Sequence, residues 1–128
     1  MSTETIIVYQ GESRTIRLGP VIDVDTGLAL DLSAPTLVEW QVKKRPGVLD
    51  GDGDVNVLLA KSLDDASLSL ESGVGSPTPW YVVIPLAPED TADLVGRWYD
   101  DCVVVVGAQR RFVRVPSPFH VRPAVNQP

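Results

Sequence analysis

The 128-residue chain is long enough for one domain with a sizeable core, and its 44% hydrophobic and 22% charged content argues against intrinsic disorder. Its 17 acidic and 11 basic residues leave a net charge of -6, which argues against binding along nucleic-acid phosphates. One cysteine, Cys102, excludes an internal disulfide framework and fits a reducing compartment; one histidine, His120, leaves little for histidine catalysis or histidine-rich metal sites.

In chain order, Thr5 to Gln10 and Thr15 to Leu18 read as N-terminal edge strands. Val21 to Val24 reads as a further strand that runs into the turn Asp25-Thr26-Gly27. From Thr36 to Lys43 the alternation is strict. Val38, Trp40 and Val42 share one face, while Glu39, Gln41 and Lys43 share the other, as in a half-buried antiparallel strand. The basic cluster Lys43-Lys44-Arg45 reads as a strand end leaving the sheet. Val55 to Lys61 and Leu68 to Leu70 are shorter strand candidates. Trp80 to Leu86 places Trp80, Val82, Ile84 and Leu86 on one face, and Pro85 marks an edge position or a strand end. Pro88 to Leu94, closed by Gly96, predicts a short helical turn. Arg97 to Val106 then pairs with Arg110 to Val115 through Gly107-Ala108-Gln109. Seven or eight short strands separated by turn residues predict an all-β, antiparallel sandwich with Trp40, Trp80 and Trp98 in its core. The sandwich is expected over 1–115, with 116–128 as a proline-rich tail that leaves the sheet in extended form.

Charge is unevenly distributed. Residues 1–45 carry 6 acids and 5 bases, 46–101 carry 11 acids and 2 bases, and 102–128 carry only 4 arginines, Arg110, Arg111, Arg114 and Arg122. The plain reading is a basic last strand beside acidic loops of the same domain; the sharper one is an acidic partner docking on this edge. Asp50-Gly51-Asp52-Gly53-Asp54 places Asp50, Asp52 and Asp54 at alternate positions, as in a calcium loop. The pattern then fails, because Val55 stands where the glycine is needed and Lys61 where the bidentate glutamate is needed, so a flexible acidic turn is expected and no metal or cofactor. Cys102 sits mid-strand as a buried thiol, remote in sequence from His120. Asp100 and Asp101 point to opposite faces and form no acid/base pair; Asp100 is expected near a solvated sheet end. No phosphate-binding glycine loop is present, the longest apolar run (Cys102 to Val106) is too short for a spanning helix, and Met1-Ser2-Thr3-Glu4 lacks a signal-peptide pattern. No enzymatic chemistry, nucleic acid or membrane is expected.

The order of local sequences is informative. Thr15-Ile16-Arg17-Leu18 precedes Asp25-Thr26-Gly27-Leu28-Ala29-Leu30-Asp31-Leu32-Ser33 and the tryptophan strand Val38 to Val42. Ile84-Pro85-Leu86-Ala87-Pro88-Glu89-Asp90-Thr91-Ala92 then runs into Gly96-Arg97-Trp98-Tyr99-Asp100, and the chain closes with a hairpin and Pro118-Phe119-His120-Val121-Arg122-Pro123. Over nearly its whole length this resembles the small immunoglobulin-like virion structural proteins of tailed bacteriophages, and is similar to the N-terminal domain of phage upper baseplate proteins. Trp98 takes the place of the aromatic in the tyrosine corner of such sandwiches, with no second cysteine for their disulfide.

The resemblance implies an immunoglobulin-like tail, neck or baseplate adaptor in the virion, made in the host cytoplasm. Its partners would be copies of itself and other virion proteins, met through sheet edges such as Thr5 to Gln10, loops and the 116–128 tail. Arg110, Arg111, Arg114 and Arg122 are the expected interface, facing acidic loops such as Asp50 to Asp54 of the next copy. A capsid decoration protein is the alternative within that class. Outside it stands a carbohydrate-binding module with Tyr81 and Tyr99 as exposed aromatics.

Overall fold

A computed structural model describes residues 4–45 and 56–124. The chain folds as an all-β, immunoglobulin-like sandwich. Eight strands are present among the described residues: β1 (Ile6–Tyr9), β2 (Arg14–Leu18), β3 (Leu37–Lys43), β4 (Val57–Ser62), β5 (Ser69–Ser72), β6 (Trp80–Leu86), β7 (Gly96–Val106) and β8 (Gln109–Arg122). One sheet has the order β1-β8-β7-β3-β4 and the other β2-β6-β5. This is the order of an immunoglobulin sandwich, with β2, β6 and β5 as strands B, E and D, and β8, β7, β3 and β4 as G, F, C and C′. The larger sheet is mixed rather than purely antiparallel, because β1 lies parallel to β8, from Ile6 opposite Phe119 to Tyr9 opposite Arg122.

The alternation predicted for β3 and β6 is what closes the core. Val38, Trp40 and Val42 from β3 and Val82, Ile84 and Leu86 from β6 are all buried between the sheets. Trp40 is fully buried and meets the Phe119 ring edge-on at 5.6 Å, an interplanar angle of 73°. Trp80 and Trp98 are only half-buried and pack against the periphery of this core. Pro85 lies opposite Thr15 of β2, beyond the point where β5 stops pairing at Val83, so its missing N–H costs no ladder bond on the β5 side.

The expected short helical turn is present as a single turn, α1 (Pro88–Thr91), opened by Asp90 Oδ2 accepting from Ala87 N at 2.8 Å. Two expectations are corrected. Val21 to Val24 is not a strand. Only Ile22 pairs, with Ala29, and the Asp23 carbonyl accepts from Thr26 N (3.2 Å) and Gly27 N (2.7 Å), so the turn begins earlier. Residues 116–122 are not a tail: β8 continues through them, pairing with β7 as far as Val121 opposite Gly96. Pro116 is tolerated because the ladder is already bulged there. Asp100 faces Ser117 and Cys102 faces Arg114, leaving one extra residue on β8 in the interval that holds Pro116.

Candidate interaction surface

Ion pairs inside the larger sheet account for several of the charges singled out from sequence. The pairing of β3, β7 and β8 brings Trp40, Asp100 and Arg114 together, with Asp100 and Arg114 1% and 0% exposed. Asp100 Oδ2 accepts from Trp40 Nε1 and from Arg114 Nε, both at 2.8 Å. Arg114 Nη2 also donates to the Glu4 carbonyl at 2.6 Å, so the same guanidinium holds the chain just before β1. Burial pushes the Asp100 carboxyl up to about 6, against the opposing pull of the Arg114 charge and the Trp40 hydrogen bond. Asp101 points the other way, as expected, and its Oδ2 pairs with Lys43 Nζ at 2.9 Å, both side chains only 4% exposed. Asp100 is therefore buried rather than solvated, Arg114 is internal rather than an interface residue, and Lys43 is held within the sheet rather than leaving it. Sequence periodicity assigns faces but does not reveal a partner on a bulged neighbouring strand.

The other arginines are dispersed. Arg111 Nη2 lies 2.8 Å from Asp25 Oδ2 and 3.8 Å from Asp23 Oδ1, on the β2–β3 connection of the same chain. This is the plain reading of the charge asymmetry. Arg110 is exposed, with its guanidinium 5.8 Å from the Phe112 ring centre. Arg122 lies at the opposite end of β8, its carbonyl accepting from Gln10 N at 2.8 Å. The four arginines thus do not form one surface. Asp50, Asp52 and Asp54 lie outside the described residues; among the described residues no group of histidine, cysteine or carboxylate side chains is arranged to hold a metal ion.

Cys102 and His120 are not brought together. Cys102 faces Trp40 and Arg114, whereas His120 faces Arg97 and Ile7. Burial pushes the Cys102 thiol far above its usual range, with Asp101 and Asp100 adding to the effect, so the thiolate needed for nucleophilic attack is suppressed. Tyr81 and Tyr99 are half-buried, and the Arg17 guanidinium covers the Tyr81 ring at 3.6 Å from its centre. Trp98 does form a corner: its Nε1 donates to the Leu94 carbonyl at 2.6 Å, four residues upstream. Gly96 is required there, since at φ +151° an added Cβ would lie 2.7 Å from the indole.

Edges and ends remain. On the β1 edge the Arg14 guanidinium caps the Ile7 carbonyl, occupying an acceptor that a neighbouring strand would need. The loop end is different. The connections β2–β3, β5–β6 and β7–β8 lie at the same end of the sandwich. Of the seven large apolar side chains most exposed among the described residues, five lie there: Ile22 (43%), Val24 (67%), Leu28 (57%), Val74 (102%) and Phe112 (44%). Ile22, Val24 and Phe112, with Pro20, Val21 and Val113, line a groove of about 390 Å³ between the β2–β3 connection and β8. Sequence reasoning missed this surface by assigning Ile22 and Val24 to a strand and emphasising arginines. The available signal was Ile22, Val24 and Leu28 around the turn Asp25-Thr26-Gly27, where polar residues are usual. No known protein family, curated protein or solved structure matches this chain.

Proposed function

We propose that this chain is a non-enzymatic structural protein of a tailed bacteriophage particle, an adaptor of the tail, neck or baseplate that works by docking. The observation that carries the reading is the gathering of exposed Ile22, Val24, Leu28, Val74 and Phe112 at one loop end of a sandwich whose interior is otherwise well packed. The order of turns and strands that resembles phage immunoglobulin-like virion proteins supplies the setting. Loops at one end of such a sandwich are its usual recognition elements. The expected partners are virion proteins, the expected location is the virion, and synthesis is in the host cytoplasm. A carbohydrate-binding role is less well supported, because Arg17 covers the Tyr81 face that a sugar would stack on.

The test is quantitative mass spectrometry of purified particles of the encoding phage, scaled to the major capsid protein. The expected result is a copy number that is a small fraction of the capsid protein's, as for a ring of the tail, neck or baseplate. A copy number near that of the capsid protein would replace the adaptor with a capsid decoration protein. Absence from washed particles would overturn the virion reading.

A further inference from the structure

Strands β3 and β7 are both interior to the larger sheet, so each is held on two sides. Their register sets Gln41 directly opposite Asp101, with Lys43 two residues further along the same face. Lys43 Nζ lies 2.9 Å from Asp101 Oδ2, and both side chains are 4% exposed. The carboxyl carbon is one bond beyond that oxygen. An amine and a carboxyl are thus fixed within reach of each other where water is nearly excluded. Such fixation stands in for effective concentrations of about 10⁵–10⁸ M. Gln41 is 8% exposed, and its Oε1 has no hydrogen-bond partner among the described residues. A carboxylate opposite it has no proton to offer, whereas a carboxylic acid does. The neutral acid, the form that an amine attacks, is therefore the form with a donor for Gln41.

We propose that Lys43 and Asp101 condense after folding into an intramolecular isopeptide bond. A proton passes from the Lys43 ammonium to the Asp101 carboxylate, leaving a neutral amine beside a neutral acid. The Nζ lone pair attacks the carboxyl carbon and forms the C–N bond. The C–O bond then breaks, and the departing hydroxide takes a proton from Nζ and leaves as water. Ammonium and carboxylate thus become one neutral amide and one water, with no oxidant, reductant or added reactant. The reaction also removes two charges from a water-poor site, where their desolvation opposes folding. The product staples β3 to β7, in a sandwich whose single cysteine excludes the disulfide of immunoglobulin domains. Lys61 and Asp90 are the contrast. They are 2.8 Å apart but 13% and 15% exposed, and Asp90 Oδ2 also accepts from Ala87 N, so this pair should stay ionic.

The experiment is intact-mass measurement of the folded full chain, followed by peptide mapping. The expected mass is one water below that of the sequence, with a branched peptide joining the segments that contain Lys43 and Asp101. Lys43→Arg keeps the charge but replaces the amine with a guanidinium, which stays protonated and does not attack, so it should show the full mass. Asp101→Ala should show the full mass as well. Full mass in the wild-type chain would overturn the proposal, and that reading needs no variant to fold. A water loss that persists in Lys43→Arg, or a crosslink through any other lysine, would overturn it too. So would a loss mapped to a succinimide at an aspartyl-glycine such as Asp50-Gly51, which also sheds one water. None of these readings depends on whether the chain enters a virion.

Discussion

Asp100 and Arg114 show how a charged pair survives inside a β-sandwich. Each is removed from water, and each is compensated by the other, with Trp40 donating to the same carboxylate oxygen. Breaking a buried pair is costlier than never having built it, so Arg114→Met should destabilise the domain at neutral pH by about 3–5 kcal/mol, measured by urea denaturation. The pH dependence has a definite sign. The native carboxyl near 6 lies above its ordinary value of 3.8, so folding takes up a proton between them. The contribution of this group to stability is full below about 4 and is lost as pH rises towards about 6. Asp100→Asn should remove that component of the urea midpoint between pH 4 and 6, whereas Arg114→Met should extend it to higher pH. Trp98 is a second residue-scale device. Trp98→Phe keeps most of the ring but strands the Leu94 carbonyl, a loss of about 1 kcal/mol in thermal denaturation. Gly96→Ala should cost more, because a Cβ there meets the indole and the backbone conformation disfavours any side chain.

Among the elements, β8 is the one that sequence reasoning divided wrongly. Proline content made 116–122 look like an exit from the sheet, yet Phe119 and Val121 are 0% and 2% exposed. A chain ending at Val115 should therefore fail to give a cooperative thermal transition, and Phe119→Ala alone should cost about 3–5 kcal/mol. The regular strands were legible because their signal is local: Val38, Trp40 and Val42 announce a face in β3 without reference to any neighbour. The sandwich class and the helical corner at Pro88 were legible for the same reason. The continuation of β8 was not, because it depends on a bulge opposite Asp100 to Cys102, which exists only once two strands are paired. The parallel addition of β1 was hidden similarly, since a strand's direction relative to its partner leaves no mark in its own residues. Of the candidate surface, the sequence signalled the basic hairpin but not the apolar turn that faces it, because the alternation of Val21 to Val24 reads as a strand, which hides Ile22 and Val24 as exposed turn residues.

Across the whole molecule the two ends are built differently. At the end where β1 turns into β2, Gln10 Nε2 donates to the Ala92 carbonyl at 2.7 Å, Gly11 N donates to Thr91 Oγ1 at 2.9 Å, and Gln10 N donates to the Arg122 carbonyl. These bonds tie three segments distant in sequence. The loop end leaves apolar side chains in water instead, beside the Arg111 pairs. Exposed apolar groups contribute little to folding, since their exposure changes little between the unfolded and folded chain. The two ends should therefore separate stability from association. Val24→Asp should shift unfolding by no more than about 0.5 kcal/mol, whereas Val21→Asp, three residues earlier and 4% exposed, should destabilise by several kcal/mol or prevent folding. Thermal denaturation of both variants measures the first half of this expectation. On the proposed adaptor role, incorporation into phage particles measures the second: folded Val24→Asp protein should be depleted from purified virions, and normal incorporation would place the contact surface elsewhere on the sandwich.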